Sequence, residues 1–271
     1  MAGTAINGFT LDNRRIVQSM KMRLGYRSGY PHYLFSKGGK RFLYCYVRKN
    51  ASSAFKALIL DEIRGGWPVG HDEPLGTRPI DLMDRAARAR YPTDMRGIDH
   101  GVFVYRDPFV RIASLYLNKF VQRRGSDDIL ASYREVTGER PESASLSDFV
   151  HEYLRSDFHL LDLHVLPQRR HMWPIVYTDV VPIHRLHERM SHILGAAVAD
   201  RYFRVSVNET SGAPSYHDDC AADRPAEELC RIYAADGRLP SVAALLSDPV
   251  RKRIAQLYRE DLLFADADAI A

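Results

Sequence analysis

Two short polar stretches concentrate the residue types that bind anions. Arg48-Lys49-Asn50-Ala51-Ser52-Ser53 brings a guanidinium, an ammonium, an amide and two hydroxyls together between an apolar run and a helical pattern. Backbone amides at a helix N-terminus add partial positive charge, which makes the stretch a cradle for phosphate or sulfate. It is not a Gly-x-x-x-x-Gly-Lys-Ser/Thr loop: there the lysine comes late and follows glycines, whereas here Lys49 comes early and glycine is missing. In the second stretch Ser114 follows Arg106 by eight residues, about two turns of helix. A guanidinium fork and a hydroxyl so placed can grip one phosphate together. A plainer reading makes Arg48 and Lys49 solvated charges, Ser52 and Ser53 helix caps and Ser114 a small packing residue; for Arg111, taken as an exposed helix charge, the plain reading is adopted. Eleven histidines offer bases that titrate near neutral pH.

These residues need elements to hold them. Arg41 to Val47 is apolar, aromatic and β-branched and follows the Gly38-Gly39 turn signal, which predicts a buried strand. After the polar loop, Ser52 and Ser53 are N-cap types, and Phe55, Leu58, Ile59 and Ile63 recur at helical spacing until Gly65-Gly66. The second stretch repeats the plan: a strand at Gly101 to Tyr105, then Arg106, then Asp107 as N-cap and Pro108 at the first helical position, with Phe109, Ile112, Ala113, Tyr116 and Phe120 on one face. A short surface helix is expected at Arg85 to Arg90, and a helix at Leu146 to Leu154 capped by Ser145 or Ser147. A third strand is placed at Ile175 to Tyr177, leading into a helix over Leu186 to Ala197, and an amphipathic helix closes the chain with Ile254, Leu257, Tyr258 and Leu262. Strands alternating with helices predict an α/β fold with a mostly parallel sheet flanked by helices and ligands at the carboxyl ends of the strands. The expected organisation is a single domain over residues 1–271, with 1–40 as an N-terminal extension and 125–160 as a helical insertion.

Composition narrows the function classes. The net charge is +4 and the pI near 8.9, but 38 basic residues are scattered among 34 acidic ones rather than gathered into a block, so no nucleic acid partner is expected. Cys45, Cys220 and Cys230 have neither CxxC spacing nor a metal-like relation to histidine, so reduced thiols and no metal are expected. No stretch approaches the roughly 20 apolar residues that span a bilayer, and residues 1–25 are mixed and polar, so a cytoplasmic enzyme is expected.

The two stretches also match known signatures. Tyr46-Val47-Arg48-Lys49-Asn50-Ala51-Ser52-Ser53 resembles the 5′-phosphosulfate-binding signature of the carbohydrate sulfotransferases, Val-Pro-Lys-x-Ala/Gly-x-Thr/Ser-Ser/Asn, with Arg48 where that family usually has proline. Arg106 to Phe120 resembles their 3′-phosphate signature, Arg-Asp-Pro-Phe-x-Arg-Leu-x-Ser-x-Tyr-x-x-Lys-Phe. Leu163-His164-Val165-Leu166-Pro167-Gln168 is similar to a His-x-x-Pro-Gln segment, and Leu257 to Phe264 to a terminal Tyr-x-x-Asp-x-x-x-Phe.

The resemblance implies a P-loop-like three-layer sandwich and transfer of a sulfuryl group from 3′-phosphoadenosine 5′-phosphosulfate (PAPS) to a hydroxyl, leaving adenosine 3′,5′-bisphosphate (PAP). Lys49 would stabilise the leaving oxygen, Arg48, Asn50, Ala51, Ser52 and Ser53 would complete the 5′-phosphate site, and Arg106 with Ser114 would hold the 3′-phosphate. His164 is the first candidate for the base, His71 the second, and Glu73 the carboxylate alternative. Asn208-Glu209-Thr210 matches a glycosylation acceptor but is read as a polar loop; in the resembled family a similarly placed asparagine opens the segment that closes over the nucleotide. The implied acceptor is a saccharide, a glycolipid or a glycosylated small molecule. The rival readings are a P-loop-type nucleotide-dependent phosphotransferase and a noncatalytic glycan- or nucleotide-binding module.

Overall fold

The computed structural model describes residues 30–65, 78–90, 92–204 and 213–268, together with a short antiparallel pairing of Ala5–Ile6 with Phe9–Thr10. The chain divides into two compact units, residues 1–105 with 170–207, and residues 106–169 with 208–271.

The first unit is built on a four-stranded sheet in the order β1-β2-β3-β4, comprising β1 His32–Lys37, β2 Lys40–Cys45, β3 His100–Tyr105 and β4 Asp179–Pro182. β1 and β2 form an antiparallel hairpin, whereas β2, β3 and β4 run parallel. The hairpin turns through Gly38 and Gly39 alone, both left-handed at φ 58° and 75°, the conformation that a two-residue turn between right-twisted strands demands. The sheet therefore begins at His32, inside the stretch taken from the sequence as an extension ending at residue 40.

Side chains alternate across the sheet and both faces are covered, as parallel strands require. Phe42, Tyr44, Val102, Val104 and Val181 pack with Phe55, Leu58 and Ile59 of α1 (Ser52–Ile63) and with Leu186 and Met190 of α5 (Leu186–Leu194). The Tyr44 and Phe55 rings stack at 3.9 Å between centroids. On the other face Leu43, Cys45 and Phe103 are buried; the Cys45 thiol donates to the His171 carbonyl at 3.5 Å and Phe103 lies beside Tyr177.

Two elements depart from their expected positions. β4 begins at Asp179 rather than covering Ile175 to Tyr177. Ile175 and Tyr177 are buried, which gives them a strand-like pattern, but the Tyr177 hydroxyl lies 2.5 Å from His32 Nε2 and accepts from the Trp173 amide at 2.9 Å. Pairing with β3 starts where Asp179 meets His100 Nδ1 at 2.9 Å and Thr178 Oγ1 at 2.8 Å. The expected helix at Arg85 to Arg90 is instead α2, Pro79–Ala86. Residues 87–89 leave it to partner the edge of β1, with Leu34 N donating to Ala87 O at 2.7 Å and Ala89 N to His32 O at 2.8 Å, since an edge strand's backbone groups need partners.

The second unit is helical. α3 (Pro108–Tyr116) runs directly into a π-helical turn, Leu117–Val121, and α4 (Asp127–Thr137) follows. Ser145 caps the next short helix through a reciprocal capping box with Asp148, and that helix continues as a π turn, Phe149–Tyr153. Tyr116, Phe120, Tyr133, Phe149 and Tyr153 form one buried aromatic cluster with neighbouring centroids 5.1–5.6 Å apart. The chain ends in α8 (Asp248–Leu257) and α9 (Arg259–Asp268), after α7 (Ala226–Asp236); α6 is Ala196–Tyr202 of the first unit. No helix among the described residues is long and apolar enough to cross a membrane.

Candidate functional site

The Lys49 loop follows the carboxyl end of β2 and turns without glycine. Lys49 and Ala51 both adopt left-handed backbone angles, φ 72° and 55°, a conformation that costs a non-glycine residue about 1 kcal/mol or more. Between them Asn50 is fully buried, and its Nδ2 donates to the Val104 carbonyl of β3 at 2.8 Å. That anchor holds the loop against the neighbouring strand and offsets the strain. Left-handed residues within such a turn direct successive backbone N–H groups into a concavity that favours anions.

Ala51, not a serine, is the N-cap of α1, and no side chain caps the helix. Ser52 and Ser53 occupy the first turn instead, which corrects the expectation that they serve as caps. The first turn contains no acidic residue, so nothing on it neutralises the positive end of the helix dipole. Ser52 hydrogen-bonds to the Tyr46 phenol, whose pKa burial pushes up while the Arg48 charge and the Ser52 bond oppose that rise.

The second signature opens at Arg106, immediately after Tyr105 ends β3. Arg106 Nη2 donates to Ser114 Oγ at 2.7 Å, and Ser114 is nearly buried. The helix between them is fixed at its start by Asp107, whose Oδ1 accepts from the Phe109 and Val110 amides at 2.8 and 3.0 Å, with Pro108 in the first turn. The backbone of Arg106 is held by Gln168: Arg106 N donates to Oε1 at 2.9 Å and Nε2 donates to Arg106 O at 2.8 Å.

His164 lies in the same unit. Its Nδ1 is 2.5 Å from Asp162 Oδ1, and the same carboxylate oxygen accepts from the His164 amide at 2.7 Å. In the tautomer whose Nδ1–H donates to the Asp162 carboxylate, the lone pair of the imidazole lies on Nε2. Arg111, expected on the helix surface, is fully buried and donates from Nη2 to the His164 carbonyl at 2.9 Å. The helix face that looked polar in sequence is turned toward the segment carrying His164.

The model of the sulfotransferase family matches residues 32–264, most of the chain and both signatures. The chain belongs to the sulfotransferase family. No curated protein and no solved structure matches it.

In this sulfotransferase, Arg106 and Ser114 touch, and Lys49, Ala51, Ser52 and Ser53 share one loop and helix start that Asn50 anchors. His71, Glu73 and Asn208 to Thr210 lie outside the described residues. Among the described residues no group of three or more His, Cys, Asp or Glu is placed to hold a metal. Other residues of the signatures serve packing: the Tyr116 hydroxyl donates to Ala144 O at 2.9 Å, and Lys119 Nζ donates to the carbonyls of Arg124 and Gly125 at 2.8 and 2.5 Å. Asp162 was missed from sequence, although its spacing two residues before His164 is a visible signal. Gln168 stood in a matched segment but had no role there.

Proposed function

We propose that this sulfotransferase takes the sulfuryl group of PAPS and passes it to an acceptor hydroxyl, releasing PAP. The carrying observation is the Arg106–Ser114 pair, a guanidinium and hydroxyl joined at 2.7 Å where the chain leaves a parallel strand, which suits the 3′-phosphate. The Lys49 loop suits the 5′ end: left-handed residues at 49 and 51, a helix start without acidic residues, and the hydroxyls of Ser52 and Ser53. Arg48 adds a cation where the family signature usually has proline. The same reading takes the fold as the P-loop-like three-layer sandwich.

In-line transfer builds negative charge on the bridging oxygen as the sulfur–oxygen bond breaks, so electrostatic stabilisation and positioning carry the rate. Lys49 provides that stabilisation. The acceptor oxygen attacks sulfur, its proton passes to Nε2 of His164, and Asp162 steadies the imidazolium through Nδ1. His71 and Glu73 are the alternative bases. The acceptor class that the signatures favour is a hydroxyl of a saccharide, a glycolipid or a glycosylated small molecule.

The test is a donor-dependent transfer assay against glycans and small alcohols, read by mass for one added sulfuryl group, together with calorimetric titration of PAP. Saturable PAP binding and PAPS-dependent mass gain are expected. A protein that binds no PAP overturns the reading.

A further inference from the structure

Arg106 occupies an awkward backbone position. It follows the last residue of β3 and precedes the N-cap of α3, at the junction where the sheet's ladder ends and the helix's begins. Buried backbone groups demand partners, and one side chain serves both: Gln168 accepts from Arg106 N at 2.9 Å and donates to Arg106 O at 2.8 Å. The two bonds mimic a rung of a sheet ladder. They also fix the orientation of the Gln168 amide, because only its oxygen can accept and only its nitrogen can donate.

Gln168 is itself held. It is fully buried, and so is Asp261, which lies 93 positions further along the chain in α9. Asp261 Oδ2 accepts from Gln168 N at 2.8 Å and from Gln168 Nε2 at 3.3 Å, while Oδ1 accepts from Arg169 N at 2.9 Å. A buried carboxylate is expensive unless satisfied; here burial pushes its pKa up, against the backbone bond from Arg169, the charge of Arg111 and the bonds from Gln168. Placing such a group behind an amide that bonds both backbone groups of Arg106 is a costly way to secure a chain turn. It makes sense if the direction of the Arg106 side chain matters. That side chain is tied at its far end to Ser114, so both ends of Arg106 are fixed before any ligand arrives, which lowers the entropy lost on binding.

We infer that Gln168, braced by Asp261, is a positioning residue that aims the Arg106 guanidinium at the donor's 3′-phosphate and so sets selectivity for a 3′-phosphorylated nucleotide. This rests on the PAPS reading above and adds two residues to it, neither of which contacts the donor. The His-x-x-Pro-Gln and Tyr-x-x-Asp segments, far apart in sequence, are then two parts of one support behind a single arginine.

The experiment titrates the intact protein and its variants with PAP and with adenosine 5′-phosphate, which lacks the 3′-phosphate. Gln168→Leu keeps the bulk and removes both bonds to the Arg106 backbone together with the Nε2 bond to Asp261; it is expected to weaken PAP about 10-fold or more while leaving adenosine 5′-phosphate within about twofold, since a misaimed guanidinium forfeits a hydrogen bond to the charged 3′-phosphate, worth more than a tenfold step. Arg106→Ala is expected to show the same selective loss, and the Gln168→Leu/Arg106→Ala double variant no further loss than Arg106→Ala alone. Asp261→Asn keeps the shape of the brace and is expected to give a smaller loss with the same selectivity, which carries the test if Gln168→Leu does not fold. Parallel weakening of both nucleotides, or unchanged PAP affinity in variants that melt cooperatively, overturns the positioning role while leaving the donor reading in place. Wild-type protein that binds no PAP overturns the donor reading, and this inference with it.

Discussion

Arg111 is fully buried in α3 and donates from Nη2 to the carbonyl of His164 at 2.9 Å. One turn before Ser114, the same helix therefore braces the segment that carries the proposed base. Tyr258 adds a second brace, its hydroxyl donating to the Val165 carbonyl at 2.6 Å. Burial lowers the Arg111 pKa, and the nearby Tyr258 and Asp261 oppose that shift. Arg111→Met removes the charge facing Asp261 and leaves the His164 carbonyl without this donor; removing one member of a buried charged group costs about 3–5 kcal/mol. Urea unfolding of the variant is expected to show a loss of that size, and a loss under about 1 kcal/mol, the range of a surface charge, would return Arg111 to the helix surface.

The Asp162–His164 pair gives a catalytic expectation. His164→Ala is expected to lower kcat by about 100-fold or more, the scale of a general base, and to remove the acid limb of the pH–rate profile. Asp162→Asn keeps the size of the side chain but disturbs the imidazole tautomer, so a smaller fall in kcat is expected with PAP affinity unchanged. If both variants turn over at the wild-type rate, the base is elsewhere, and His71 and Glu73 are the next substitutions.

How far the sequence reached depends on how local each signal is. β2 and β3 were legible because Phe42 to Cys45 and Val102 to Tyr105 are continuous apolar runs on neighbouring buried strands. β1 was missed because its residues, His32 to Lys37, mix polar and aromatic types at an edge, and β4 was placed early because burial of Ile175 and Tyr177 does not require sheet pairing. The buried face was read correctly for Ile112, Ala113 and Tyr116 of α3 and for Phe120 of the π turn that follows, yet Arg111 was misassigned, since periodicity cannot distinguish a solvated guanidinium from one that meets a distant carbonyl. The residues at the loop starts proposed to bind the donor's anionic groups were visible. Their supports, Gln168 and Asp261, became meaningful only when folding joined positions 93 residues apart.

Lys49 separates catalysis from binding. Its ammonium is expected to matter most where charge develops on the leaving oxygen, so Lys49→Ala should lower kcat by about 100-fold or more with a much smaller change in PAP affinity. Single-turnover sulfuryl transfer and PAP titration together read the two effects. A variant that keeps full turnover would remove Lys49 from the chemistry.

Ala51 tests the backbone of the same loop. At φ 55° its methyl group is held in a region that favours glycine, so Ala51→Gly is expected to be neutral or to stabilise by under about 1 kcal/mol. Ala51→Val forces a β-branched residue into that region and is expected to destabilise by about 1–3 kcal/mol. Urea unfolding measures both, and equal stability of the two variants would show that the left-handed turn is not held in solution.

The buried end of the sheet sets an acid limit. Asp179 accepts from Thr178 at 2.8 Å, pairs with His100 at 2.9 Å and meets the Arg189 guanidinium. Burial alone would raise its pKa, but the His100, Thr178 and Arg189 bonds and the Arg189 charge together hold it below the ordinary value of 3.8. A carboxylate whose folded pKa lies below its unfolded one adds stability that is complete above the unfolded value and is lost as pH falls through the folded one. Asp179 should therefore support the sheet at neutral pH and cease to do so only at strongly acid pH. Asp179→Asn is expected to lower stability at pH 7 and to flatten the acid side of the stability profile. Asp261 has the opposite sign, its pKa being raised by burial, so its ionisation opposes folding as pH rises through the carboxylate range. Unfolding free energies of the wild type and Asp179→Asn from pH 7 down to about pH 2, spanning the carboxylate range, separate the two, and parallel profiles would show that Asp179 carries no part of the acid sensitivity.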